Sequence, residues 1–268
     1  MLHDWRSLPP VRNLVLSALS TDTPTTLQSL VRIGQVFGVD AATTRVTLGR
    51  LVRDGLLRQI DRGQYAIGEG GAALRERVRR WRTVGARTRP WEGSWLIVLV
   101  DHLGRADRTR LRLRERALKL SGFARAEEGY WLRPDNLRPT MPEIISEAVS
   151  LGLEPNAVAF GSAEALSANA ARLHGLWPID DLVAAYRFWI DELDASMTRL
   201  PTMRREEAAR ESFLLGQAVI RAINLDPLLP AEMIDTDLRC RMVEQMIAYD
   251  EIGRRCWSEL DLEVRPAA

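Results

Sequence analysis

The sequence predicts an α+β protein, and three patterns along its 268 residues carry that expectation. Helical apolar spacing in the first 55 residues gives way to two short strand-like runs around a glycine turn. A compact apolar run just after residue 90 opens an alternation of strand and helix signals. From Glu164 onward only helical signals remain.

The first helix is expected from Pro9 to Ser20. Val11, Leu14, Val15, Ala18 and Leu19 recur there at helical spacing, and Pro9 and Pro10 suit a helix start. A turn rich in Thr, Asp and Pro follows over 20–26. Leu27, Leu30, Val31, Ile33 and Phe37 then mark a second helix that stops at Gly38. Asp40 is placed to cap a third helix over 41–54, closed by Gly55. Its register turns Thr44, Leu48, Leu51 and Val52 inward and Thr43, Arg45, Thr47, Arg50 and Arg53 outward. LLRQID and QYAIG read as strands joined by a hairpin at Arg62-Gly63. Three helices and a hairpin make residues 1–70 a winged helix.

Residues 71–90 read as an arginine-dense linker helix carrying Arg75, Arg77, Arg79, Arg80 and Arg82. SWLIVLVDH then suits a buried strand, and a helix follows from Asp107 to Leu120 with Leu111, Leu113, Leu118 and Leu120 as inward positions. A hairpin is expected around Glu128-Gly129, a helix over 142–152 and a last strand at 157–160. This β-α-β-β-α-β order over 91–163 is that of a ferredoxin-like sandwich. Residues 164–268 form the all-helical C-terminal domain, broken at 175–178, 200–202 and 224–230.

Composition narrows the function. With 46% hydrophobic and 27% charged residues, the chain has the apolar content of a folded protein and not of a disordered one. No run approaches the ~18 apolar residues of a membrane helix, and the N-terminus lacks a signal-peptide pattern, so a cytoplasmic protein is expected. Cys240 and Cys256 match neither a zinc site nor a disulfide framework and read as structural thiols. The net charge of +1 conceals a polarity. Residues 1–90 hold 15 Arg against 7 acids, whereas residues 140–268 hold 12 Arg against 22. A basic N-terminal end seeks an anionic partner.

The outer face of the third helix suits the major groove of double-stranded DNA, where Arg reads guanine and Thr contacts bases or phosphates. Arg45, Thr47 and Arg50 lead this set, with Thr43 and Arg53 beside them. Arg58, Arg62 and Gln64 on the hairpin are placed to grip the duplex backbone. An effector is assigned to Arg108 and Arg112 on the basic central helix and to Trp131, Arg133, His174 and Trp177. No nucleophile elbow, phosphate loop, HExxH or dinucleotide fingerprint occurs, so neither catalysis, a metal nor a resident cofactor is expected. His3, His102 and His174 are the only histidines. His102 beside Asp101 reads as a solvated strand end, and Asp180-Asp181 and Glu206-Glu207 as helix-start acids. Two alternatives compete with a DNA-binding regulator. One is a metal-dependent nucleic-acid-processing enzyme with Asp101 as its obvious carboxylate; the other is a winged helix used for protein contacts.

Five segments together resemble the PaaX-type repressors of phenylacetic acid catabolism. They are TTRVTLGRLVRDGLL at 43–57, WEGSWLIVLVD at 91–101, SGFARAEEGYWLRPDNL at 121–137, LWPIDDLVAAYRFWIDEL at 176–193 and INLDPLLPAEM at 223–233. The resemblance implies a homodimer that binds a palindromic operator. It also implies repression relieved by an aryl-acetyl coenzyme A thioester, characteristically phenylacetyl-CoA. By position it makes Arg45, Val46, Thr47, Gly49 and Arg50 the operator readers. The hairpin run RQIDRGQYAIGEGG is less basic and less aromatic than the family pattern.

Overall fold

A computed structural model describes residues 5–19, 24–164, 172–258 and 260. His3, most of the turn at 20–26 and the start of the helical signal after Glu164 lie outside them. In chain order the elements are α1 (Val11–Ala18), β1 (Thr25–Thr26), α2 (Leu27–Val36), α3 (Ala41–Arg53), β2 (Leu57–Asp61), β3 (Gln64–Ile67) and α4 (Glu69–Arg79). A 3-10 stretch, Arg80–Arg87, precedes β4 (Ser94–Leu99), α5 (Arg108–Leu120), β5 (Ala124–Arg125), β6 (Trp131–Pro134), α6 (Met141–Ser150) and β7 (Val158–Glu164). The rest is helical: α7 (Ile179–Arg199), α8 (Arg205–Leu225) and α9 (Thr236–Ser258). Mixed helix and small antiparallel sheets make this the α+β class expected.

The chain forms two compact units, each built from discontinuous segments. The first joins residues 1–82, 187–224 and 241–268, and the second joins 83–186 and 225–240. Helices α7 and α9 each contribute residues to both units.

In the first unit, local sequence explains each helix end. Thr26 accepts a hydrogen bond from the Ser29 amide at the start of α2, and Asp40 accepts one from the Thr43 amide at the start of α3. Each satisfies a backbone donor that has no partner inside the helix. Gly38 and Gly55, at φ of 74° and 70°, terminate the two helices in the left-handed region. Strands β2 and β3 pair antiparallel through a turn at Gly63, with an irregularity between Gln59 and Asp61, and the two-residue β1 adds to the far side of β3. That third strand has no sequence signature, because two threonines show no periodicity.

The core between α1, α2 and α3 is Leu14, Val15, Leu19, Leu30, Ile33, Leu48 and Leu51, all at most 4% exposed. Burying each such side chain contributes about 1.5–3 kcal/mol. The C-terminal helices complete this core. Phe37, in the α2–α3 turn, lies 5.0 Å from Phe213 on α8 and stacks 6.1 Å from Trp257 on α9. Trp5 donates to Glu192 at 2.8 Å, Gln217 donates to Ser17, and Asn224 donates to the Val78 carbonyl at 3.2 Å. The expected linker helix is tied down as well, since Trp81 is fully buried and Arg82 pairs with Asp250.

The second unit is a four-stranded antiparallel sheet in the order β5-β6-β4-β7. Its elements follow the β-α-β-β-α-β order, with α5 and α6 as the two helical crossovers. Inside, α5 is anchored by Arg114, whose guanidinium grips both oxygens of Glu154 at 2.9 and 2.5 Å and donates to the Gly104 carbonyl at 3.0 Å. Leu113, expected inward, is 43% exposed, because the buried side of α5 centres on Arg114, Ala117 and Leu118. The loop 225–230 docks here through its carbonyls: Pro227 accepts from Arg133, Leu228 from Asn136 and Leu229 from Arg239.

Candidate nucleic-acid interface

Helix α3 is held against α2 at a close crossing that the sequence prepares. A side chain at Gly34 would place its Cβ 2.6 Å from the Thr44 hydroxyl, and Thr44 itself is fully buried. With Thr44, Leu48 and Leu51 committed inward, the opposite side of α3 is forced into solvent. Thr43, Arg45, Val46, Gly49, Arg50 and Arg53 are exposed there, and Thr47 is half-buried at its flank. Val46 is 56% exposed, so an aliphatic side chain stands among the polar groups of this surface. Gly49 has no atom within 4 Å of where a Cβ would sit, so packing within the protein does not require a glycine there.

The polar groups on this surface differ in their availability. Thr43 donates its hydroxyl to Asp40 at 2.7 Å and Thr47 to the Thr43 carbonyl at 2.9 Å, which leaves their oxygen lone pairs as acceptors. The bonds from Thr43 hold the Asp40 carboxyl below its ordinary value. Among the described residues, no ion pair engages Arg45, Arg50 or Arg53. On the hairpin, Arg58, Arg62 and Gln64 are exposed, and the Arg62 amide donates to Asp61 at 2.6 Å. The arginines of the following segment are different. Arg82 is paired with Asp250, and Arg75, Arg79 and Arg80 are engaged.

The six residues assigned to an effector fall into separate settings. Arg108 and Arg112 project from the exposed side of α5. Trp131 and Arg133 are each 2% exposed, two apart on β6. Arg133 donates to the carbonyls of Ser121, Pro134 and Pro227 at 2.5, 3.2 and 3.3 Å and to the Asn136 side chain at 3.3 Å. Burial drives its guanidinium pKa down to about 9, so the charge is retained at neutral pH. Trp177 is 7% exposed, donates to the Gly122 carbonyl at 3.3 Å and stacks 6.2 Å from Trp95. His174 lies between Trp91 and Trp95, at 5.7 and 6.0 Å. His174 and Trp177 thus meet at Trp95, and Trp177 and Arg133 meet at the Ser121–Gly122 turn.

The remaining candidate groups have local partners or stand alone. His102 contacts the Asn156 carbonyl at 2.9 Å, and Asp101 is exposed at the start of a 3-10 turn. Asp180 and Asp181 occupy the first turn of α7, and Glu206 and Glu207 that of α8, where they pair with Arg32 and Arg204. Among the described residues, no three His, Cys, Asp or Glu side chains gather as a metal site, and no helix is long and apolar enough to cross a membrane. Both cysteines are free thiols, but Cys240 is exposed instead of buried.

Comparison with known proteins bears on the two units unequally. No curated protein matches the sequence. Among solved structures, an uncharacterized protein, Rv0674 from Mycobacterium tuberculosis, has the same fold. It shares 24% identity at a TM-score of 0.63, over 92% of this chain and 98% of its own. Residues 88–173, which hold the four-stranded sheet with α5 and α6, match the family model described as the PaaX protein central Cas2-like domain. Through this segment the chain contains a domain similar to the central domain of PaaX proteins.

Proposed function

We propose that the protein is a DNA-binding transcriptional repressor whose N-terminal winged helix reads an operator. The observation that carries this reading is the outward side of α3. Three unpaired arginines there surround an exposed valine and a glycine that internal packing does not require. In a major groove, Arg45 and Arg50 fit guanine O6 and N7, Val46 fits a thymine methyl, and Gly49 lets the helix backbone approach the bases. Arg58, Arg62 and Gln64 serve the phosphate backbone from the β2–β3 hairpin. The central domain's family supports a regulator over an enzyme.

The protein acts as a homodimer on a palindromic site. Supporting a dimer, Leu99, Val158 and Phe160 are 39%, 41% and 52% exposed on two paired strands of the second unit, and β7 is an edge strand. Such an apolar edge favours covering by another chain. The effector is an aryl-acetyl coenzyme A thioester, phenylacetyl-CoA in the first instance. It releases DNA by binding more tightly to the arrangement that cannot engage the operator. The test is a mobility shift on the promoter fragment upstream of the protein's own operon, with and without phenylacetyl-CoA. A specific complex dissolved by the thioester is the expected result. A complex indifferent to it would leave the DNA function and remove this effector, and no specific complex at moderate salt would overturn the reading.

A further inference from the structure

We propose that α5 of the central domain is a second DNA-contacting surface, one that grips the phosphate backbone outside the footprint of α3. The proposal rests on the DNA-binding reading above and extends it to the other unit of the chain.

Arg108, Arg112, Arg116 and Lys119 lie at intervals of four, four and three residues on α5, and all four are exposed. At 100° per residue they share an arc of about 80°, opposite the buried Arg114, Ala117 and Leu118. Among the described residues none of the four has an ion-pair partner. The acids that might have neutralised them are turned elsewhere: Asp107 to Arg110 at 3.5 Å, Glu115 to Arg125 at 3.8 Å and Glu154 to the buried Arg114. Thr109, also exposed, adds a hydroxyl to the same side.

Like charges four residues apart on a helix repel, and exposed helices ordinarily interleave acids at that spacing. A line of four cations whose one neighbouring acid, Glu115, is turned to Arg125 is complementary to a line of anions. The stripe is about 16 Å long at 1.5 Å per residue, long enough to lie along a short run of phosphates on a DNA backbone. Aromatic side chains, which a single-stranded nucleic acid would need for stacking, do not interrupt it. The partner that fits is therefore duplex backbone, read without regard to sequence.

The experiment measures binding of the full-length protein to a promoter duplex of about 60 bp, by fluorescence anisotropy, across a salt series starting at about 50 mM. Each phosphate that the protein no longer neutralises lowers the log–log salt slope by about 0.9. The variant Arg108→Ala/Arg112→Ala/Arg116→Ala is expected to flatten the slope by about 2.7 and weaken binding, with an unchanged melting curve. Replacing the same three residues by lysine is expected to restore the slope, since only charge is needed. As a charge-matched control, Arg187→Ala/Arg221→Ala/Arg241→Ala removes three exposed arginines elsewhere and is expected to keep the wild-type slope. A wild-type slope in the α5 alanine variant, or equal flattening in the control, overturns the proposal while leaving α3 binding intact. Absence of any wild-type complex at the lowest salt ends the DNA reading and this proposal together.

Discussion

Gly49 and Arg50 sit side by side on α3 yet make opposite predictions. Gly49→Ala places a methyl group in open space, so helix propensity should stabilise the fold by about 0.5–1 kcal/mol. The same methyl would stand between α3 and the bases. The expected outcome is a higher melting temperature with weaker operator binding, a combination that a purely structural glycine does not give. Arg50→Ala should leave the melting temperature alone and weaken specific binding by about 1–3 kcal/mol if the guanidinium reads a base. Competitive titration against mutated operator sites separates that from a phosphate contact. Gly34 is the contrasting case on the inner side. A Cβ there meets a buried threonine hydroxyl at 2.6 Å, so Gly34→Ala should cost about 1–3 kcal/mol of stability, readable in a urea melt.

Among the elements, α5 depends on the Arg114–Glu154 pair for its attachment. Hydrogen bonds from Arg114 hold the Glu154 carboxyl below its ordinary value of 4.5. A carboxyl depressed in the folded state adds stability above its unfolded value and loses it as pH falls through the folded one. Denaturant unfolding from pH 7 down to about 3 should show that loss, and Glu154→Gln should flatten it. Arg114→Ala should cost about 1.5–3 kcal/mol at neutral pH, because it removes charge-assisted hydrogen bonds. The helices of the first 55 residues were legible in the sequence because their caps and apolar spacing are local. Asp40, Gly38 and Gly55 each do what their residue type favours. The inward set of α5 was less legible: Leu113 has the hydropathy of a core residue, but a buried arginine held by Glu154 occupies the inward position. Strand β1 was illegible for a different reason, since its pairing with β3 is set by tertiary contact.

Across the whole molecule, the first unit cannot be read from consecutive residues. Phe37 finds Phe213 and Trp257 about 175 to 220 positions away, and no local pattern announces such a partner. Phe213→Ala should therefore cost about 3–5 kcal/mol and loosen α2 and α3 along with α8, which hydrogen exchange on the α3 amides would reveal as reduced protection. The exposed arginines of α3 were visible in the sequence, and what stayed hidden is the aromatic cluster that packs on the α2–α3 turn. A chain leaving the ribosome at about 5–20 residues per second presents α1 to α3 well before Trp257 has been made. Until then Phe37 lacks its cover, so the α2–α3 turn completes its packing only when α9 arrives. On the proposed reading, a copy terminated before Trp257 would carry Arg45 and Arg50 without the aromatic packing of the α2–α3 turn, and its grip on DNA would come only once that residue has been made.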